Sequence, residues 1–395
     1  MKESICIIGG GLSGLTCARQ LYKKYNITLF DENNKIGGAN RSILYDNKYI
    51  DSGVIFISPV DYKHYNILEL MNKYNLKYKE IEFSYSICNE NKLKYENNIN
   101  NFLNDLEQNK NNDKLCVKDL LEKYDTDFIN NYIKPITTII LACDLNLPIN
   151  RFYSLLQILP FDLNNKPKWI IPKNGSQELV HKMSEEIHNY IKLNTQIVSV
   201  ENINNLVKVV SHTNNVYYFD KVIFCIRFDI INKIYKTPSI FEKSIYPMFE
   251  YYNIETIIHN DNSVFDNNIN DFLIFNTKNK ILTMVPEFID KIKQPYVSFL
   301  NDDSINNIDK SKIIDTKIWK HIYYSNNAKN IKKILHKLQG KNNIYYSGIE
   351  MNNEVISVEN AILSGYYVSE LLNVKYEYKN NNKCVKRYNQ FISKL

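Results

Sequence analysis

Three glycines and an acidic pair carry the first readable chemistry. Gly9, Gly11 and Gly14 stand in the spacing GxGxxG, and Asp31-Glu32 begins twenty residues after Gly11. At this spacing the first glycine makes a tight turn, the second lets backbone approach a pyrophosphate, and the third lets a helix pack closely on a strand. Leu12 and Ser13 open that helix, whose first-turn N–H groups and partial positive charge can hold an anion. A carboxylate at the distance of Asp31 accepts from a ribose 2′-hydroxyl. This is chemistry for holding a dinucleotide.

The elements around these residues have the required form. Ser4-Ile5-Cys6-Ile7-Ile8 is an apolar run of the length of a buried parallel strand. After the glycines, Leu15, Ala18, Leu21 or Tyr22, and Tyr25 recur at helical spacing, and Ile27 to Phe30 reads as a second strand. A second glycine pair, Gly37-Gly38, follows the acids, with Asn40 and Arg41 just beyond.

Strand, GxGxxG, helix, strand, acid and glycine pair in this order resemble the FAD-binding half of the flavin amine oxidase superfamily, the group of monoamine and polyamine oxidases, protoporphyrinogen oxidase and phytoene desaturases. Two further stretches carry the resemblance. Tyr49 to Phe56, with Gly53 and Val54, is similar to the segment that returns the chain under the flavin ring. Asn343 to Gly348, then Ser357 to Gly365, is similar to the closing motif, in which a helix beginning at Val358, Glu359 and Ala361 points its N-terminus at the flavin pyrimidine ring. Reduced flavin carries negative charge there, which a helix N-terminus stabilises. This chain has Ile349-Glu350 where members often have Asp after the glycine, and Asn360 where they often have Gly.

The resemblance implies an α/β fold: a Rossmann-like FAD-binding domain of the GR2 type, a parallel sheet with helices, and a discontinuous α+β substrate domain. The FAD domain is expected from 1–60, 168–232 and 331–375, the substrate or cap domain from 61–167 and 233–330, and a basic tail from 376–395. Lys168 to Ser176 resembles the strand and Pro-x-x-Gly turn that lead back into the FAD domain, followed by a helix from Ser176 to Ile191. Strands are expected at 197–200, 206–210, 216–219 and 221–226. The resemblance places Val198 against the adenine, an ordinary core valine being the alternative. It runs the strand with Cys225 under the ribose. Ser347 and Tyr346 stand where some monoamine oxidases tether flavin to a cysteine, so FAD is expected to be non-covalent.

Elsewhere Ile81 to Ile87 alternates in period two, and 98–147 reads as mainly helical with Ile136 to Leu141 in the core. The last twenty residues read as a loose tail or a surface helix.

Composition excludes several classes. With 44% hydrophobic and 23% charged residues in 395, the chain has the make-up of a globular protein of about two domains. The net charge of +6 is spread along the chain without the dense cationic run of a nucleic-acid groove. No apolar run reaches the roughly 20 residues of a membrane helix. No secretory signal is read, so a cytoplasmic location is expected. Seven cysteines without CxxC, and histidines without HxH or HExxH, argue for a reducing compartment and against a metal.

The reaction that the resemblance implies is hydride transfer from a small-molecule substrate to flavin N5, in the manner of an amine oxidase. A lipid or isoprenoid desaturase, a flavin isomerase similar to UDP-galactopyranose mutase and a non-catalytic FAD-binding protein are the alternatives. No catalytic residue is singled out among the many lysines, Lys280 and Lys293 included. Arg151 is read as a carboxylate contact or a structural ion pair, and Trp169 as facing the substrate cavity.

Overall fold

The computed structural model describes residues 2–53, 58–59, 64–82, 84–88, 92–112, 114–140, 145–155, 168–265, 271–285, 295–322, 331, 334–351 and 357–395. Strand β1 (Ser4–Ile8), helix α1 (Leu12–Leu21) and strand β2 (Asn26–Phe30) form the opening crossover. They lie in a parallel sheet whose order is Ile344–Tyr346, Lys221–Phe224, β1, β2, Ile191–Lys192. Ile5, Cys6 and Ile7 are fully buried, as a central parallel strand covered on both faces requires. Leu15, Ala18 and Leu21 turn into the same core. Tyr25 reaches it from the turn beyond α1, its hydroxyl donating to the Leu372 carbonyl.

Hairpin strands β3 (Ser42–Tyr45) and β4 (Lys48–Asp51) follow the second glycine pair. Helix α2 (Tyr65–Lys73) buries Ile67, Leu70 and Met71 in the core of β1 and α1. Helix α2, which lies beyond residue 60, thus shares the core of the opening crossover. The returning strand Lys168–Pro172 leads into helix α3 (Gln177–Glu185), shorter than expected because the chain tightens into a 3₁₀ turn at His188–Tyr190. An antiparallel sheet of Ile197–Ile203, Leu206–Ser211 and Val216–Phe219 comes next. Helix α4 (Val358–Leu371) closes the motif against α1, and helix α5 (Asn382–Ile392) ends the chain.

The second half is a six-stranded sheet in the order Ile313–Ile322, Tyr251–His259, Tyr296–Leu300, Ile281–Met284, Leu273–Asn276, Tyr85–Ile87. Helices of 96–155 cover it around Tyr95, Phe102, Phe128, Tyr132, Ile136 and Phe152. The alternating run Ile81 to Ile87 divides between two sheets. Tyr78–Glu82 pairs with Lys168–Pro172, while Tyr85–Ile87 pairs with Leu273–Asn276. The strand Ile313–Ile322 was not legible. It is an edge strand with Ile318 62% exposed, so its apolar residues do not mark one buried face.

The expected loose tail or surface helix is a docked amphipathic helix. Cys384, Tyr388 and Phe391 of α5 lie in the core of β1 and α1, and the Tyr376 ring stacks on Tyr388 at 4.4 Å. Arg19 of α1 ties the segment down through Glu186 and Glu377. A Phe391→Ala variant should lose about 3 kcal/mol of unfolding free energy in denaturant titration, the cost of emptying a buried aromatic site. A tail without core contacts would lose less than about 0.5 kcal/mol.

Asp51 joins β4 to α3. Its Oδ1 accepts from Ser42 Oγ at 2.5 Å, Ser176 N–H at 2.8 Å and Ser176 Oγ at 3.0 Å. Burial outweighs these bonds and pushes its carboxyl up from 3.8 to about 6. Between those pH values the folded state holds a proton that the unfolded chain releases. The Asp51 contribution is therefore greatest below the unfolded value, declines as pH rises through the window and is constant above it. Relative to Asp51→Asn, the native protein should gain about 2 kcal/mol on acidification from pH 7 to pH 4, measured by denaturant unfolding at each pH.

Candidate dinucleotide site

The site forms where β1 ends. Gly9 N–H donates to the Phe30 carbonyl at 2.8 Å and Cys225 N–H to the Ile8 carbonyl at 2.8 Å, so three strand ends are tied together. The chain then turns into α1 with Gly14 against the Gly9 carbonyl, where any side chain would overlap the oxygen. Leu12 and Ser13 form the first turn of α1 and are 4% and 6% exposed. Their N–H groups precede the first intrahelical bond, which Leu15 N–H makes to the Gly11 carbonyl at 2.9 Å.

The second glycine pair lies across from the first loop. Gly37 N–H donates to the Gly10 carbonyl at 2.9 Å. Gly38 has a φ of +58°, and a Cβ there would sit 3.1 Å from Gly11 Cα. Two side-chain-free backbones thus face each other. Beside them, the Asn40 side-chain NH₂ and the Arg41 Nε–H are buried with no hydrogen-bond partner among the described residues. Arg41 Nη2 makes a 3.4 Å contact to the Lys35 carbonyl. A glycine-walled cradle with unpaired N–H donors and a guanidinium fits the pyrophosphate of a dinucleotide.

The two acids divide their roles. Asp31 Oδ2 accepts from Gly10 N–H at 2.8 Å, and its Oδ1 accepts from Asn33 N–H and Nδ2 at 2.9 Å each. Asp31 therefore braces the loop, against the expectation that it is the ribose carboxylate. Glu32 is exposed beside it and accepts from Gln196 Nε2 at 3.3 Å.

Other expected contacts fall as follows. Cys225 stands at the loop, its thiol touching Ser13 and Cys17 and held well above the ordinary thiol range by burial. Val198 is 39% exposed at a bulge in its strand, which removes the core-valine alternative. Gly348 is at the end of its strand, its N–H donating to Ser364 Oγ at 2.9 Å. Val358 is buried and Ala361 half-buried on α4. The Glu359 side chain is turned to α2. Its carboxylate accepts from the N–H groups of Asn66 at 3.1 Å and Ile67 at 2.9 Å, capping α2, whose own N-cap His64 makes no such bond. Burial raises the Glu359 carboxyl despite those bonds.

Val54, Lys293 and the side chain of Arg151 lie outside the described residues. Trp169 is half-buried, packed against the core beneath the six-stranded sheet. Lys280 is exposed in a turn with φ +54°. Among the described residues no group of three metal-ligating side chains occurs.

A residue the sequence did not single out joins the two halves. Trp319, on the illegible edge strand, donates from Nε1 to the Ser52 carbonyl at 2.6 Å. Its ring stands 3.0 Å from where a Gly53 Cβ would be, so Gly53 and Trp319 are sterically matched. The signal available was the scarcity of tryptophan, of which the chain has 2.

Residues 7–74 match the family model of the NAD(P)-binding Rossmann-like domain. No curated protein matches the sequence. Among solved structures the chain is similar to cyclohexylamine oxidase from Brevibacterium oxydans IH-35A, at 11% identity and a TM-score of 0.70, over 94% of this chain and 100% of that one. It is similar to putrescine oxidase bound to putrescine, at 12% identity and a TM-score of 0.66, over 95% and 100% of the two chains. A CLA-producing fatty acid isomerase from P. acnes is similar at 12% identity and a TM-score of 0.68, over 94% and 98%. The chain thus shares the fold of these two oxidases and of this isomerase, and it opens with a segment that matches the NAD(P)-binding Rossmann-like domain model.

Proposed function

We propose that this chain is an FAD-dependent oxidoreductase of the amine oxidase type that takes hydride from a small-molecule substrate and holds FAD non-covalently. The observation that carries the reading is the cradle between Gly11 and Gly38, with the unpartnered N–H groups of Asn40 and Arg41 beside it. The first turn of α1 and Arg41 supply donors and positive charge for a pyrophosphate. Glu32 offers its carboxylate to the ribose, while Asp31 keeps the loop in shape. Two acids at this end of β2 repel a 2′-phosphate, which favours an adenine dinucleotide without one. Bound there, FAD supplies a two-electron acceptor.

Tyr346 and Ser347 are engaged within the protein, Tyr346 with Glu242 at 2.5 Å and Ser347 with Ser364 at 3.0 Å. Neither is a thiol, which supports non-covalent binding. The similarity to two oxidases named for amines supports amine oxidation. The similarity to a fatty acid isomerase supports a second reading, rearrangement of a lipid double bond on the same cofactor.

The purified protein should show an oxidised-flavin absorption spectrum, native or after reconstitution with FAD. Acid precipitation should leave the flavin in the supernatant. Anaerobic addition of a panel of mono- and diamines should bleach the spectrum. A flavin that no amine bleaches, together with a shifted double bond in added polyunsaturated fatty acid, would replace the oxidase reading with the isomerase one.

Gly11→Ala separates cofactor binding from folding. The nearest heavy atom to a Cβ there is Gly38 Cα at 4.0 Å, and φ is an ordinary −74°. Unfolding free energy should stay within about 0.5 kcal/mol of native. FAD affinity should fall at least tenfold by fluorescence titration, since the methyl fills the cradle.

A further inference from the structure

The last helix reaches the first turn of the closing helix through a buried guanidinium. Arg387, on α5 and 7% exposed, donates from Nη2 to Asn360 Oδ1 at 2.6 Å. Asn360 is the third residue of α4 and is 3% exposed, and its own N–H donates to Ser357 Oγ at 3.2 Å. Its neighbour Glu359 is fully buried and caps α2. The Arg387 charge favours the ionised form of that carboxylate and opposes the effect of burial. Tyr376 completes the cluster, donating to Asn66 Oδ1 while stacking on Tyr388.

The next turns of α4 meet the dinucleotide loops. Ser364 Oγ accepts from Gly348 N–H at 2.9 Å. A Cβ on Gly365 would lie 2.8 Å from the Ser13 carbonyl oxygen and 2.7 Å from Thr16 Cβ, so α4 and α1 touch backbone to backbone. A continuous packed path therefore runs from Arg387 through Asn360 and α4 to Gly348 and Ser13. Rotation of the start of α4 would move both loops together.

We propose that Arg387 is a positioning residue of the cofactor site: through Asn360 it fixes α4 against the Gly9–Gly14 loop and Gly348, so that the C-terminal helix sets the affinity and the redox environment of the bound flavin. This rests on the FAD reading above. Arg387 itself touches neither loop. Its effect is transmitted through helix orientation, and the interaction of a helix end with a nearby charge changes within one turn of the helix.

The test uses the full chain with Arg387→Met, Arg387→Lys and Asn360→Ala. FAD binding is titrated at a temperature where circular dichroism shows each protein folded, and the flavin midpoint potential is measured by dye equilibration. Arg387→Met should weaken FAD binding at least tenfold and displace the midpoint potential, a readout that lost stability alone does not move. Arg387→Lys should recover most of the affinity. Asn360→Ala, which leaves the Arg387 charge beside Glu359, should follow Arg387→Met and serves in its place if that variant does not fold. Folded variants with native affinity and native potential overturn the proposal and leave the FAD reading intact. A native chain that binds no FAD overturns that reading, and this proposal with it.

Discussion

The contact on which the rest of the fold depends is the one between Gly14 and the Gly9 carbonyl. The helix can approach that oxygen only because Gly14 has no side chain, while a side chain on Gly9 would strike the Cys225 carbonyl on the neighbouring strand. The approach sets the angle at which α1 leaves β1, and α1 is the surface on which α4 is laid. Gly365 repeats the device one layer out, where a side chain would strike Ser13 and Thr16. Helix α5 then closes over α4 and α2 with Cys384, Tyr388 and Phe391. An early turn of three glycines thus fixes a stack that ends at the C-terminal helix, more than three hundred residues later in the chain.

This explains which parts of the sequence could be read. β1, α1, β2 and the closing strand and helix were legible because their glycine spacing and apolar runs state a local steric requirement. The three-stranded sheet at 197–219 was legible for a related reason, since its strands are short apolar runs between Asn-rich turns. The edge strand Ile313–Ile322 carries no such statement: it pairs along one edge only, with Tyr251–His259, and Ile318 is left outside. The role of α5 was hidden in another way. Its buried residues Cys384, Arg387, Tyr388 and Phe391 are separated by lysine, asparagine and glutamine, so the composition of the segment is that of a solvated tail although one face is apolar.

The six-stranded sheet contains a group that looks catalytic and is structural. His259 Nε2 lies 2.8 Å from Ser298 Oγ, with Asp261 two residues on. The Asp261 backbone N–H donates to His259 Nδ1 at 3.1 Å, so that nitrogen carries the lone pair and Nε2 carries the hydrogen. The ring therefore donates to Ser298 and cannot take its proton. Ser298 is further paired with Thr283 at 2.6 Å, and all three side chains are buried. Burial lowers the His259 imidazole to about 4, which keeps it neutral. The Asp261 carboxylate is engaged elsewhere, by Ser263, Asp309 N–H and Lys312. The cluster joins neighbouring strands by side-chain bonds and adds no nucleophile.

Carboxylates mark the limit of reading ligand contacts from spacing. Asp31 and Glu359 both stand in segments expected to meet the cofactor, and the carboxylates of both accept from backbone N–H groups of the protein. Asp51 does the same for the start of α3, and Glu242 for its own helix through Ser239. The physical requirement is identical in each case: an oxygen lone pair directed at an N–H or O–H that would otherwise be buried unpaired. A sequence specifies that an acceptor stands at a position, but the donor that reaches it is set by packing between distant segments, 293 residues apart for Asn66 and Glu359. Donors without partners are the more discriminating signal. Asn40 and Arg41 have N–H groups that no acceptor among the described residues meets. They stand beside two glycines that leave the backbone open, and it is this coincidence, rather than the acids, on which the proposed pyrophosphate site rests.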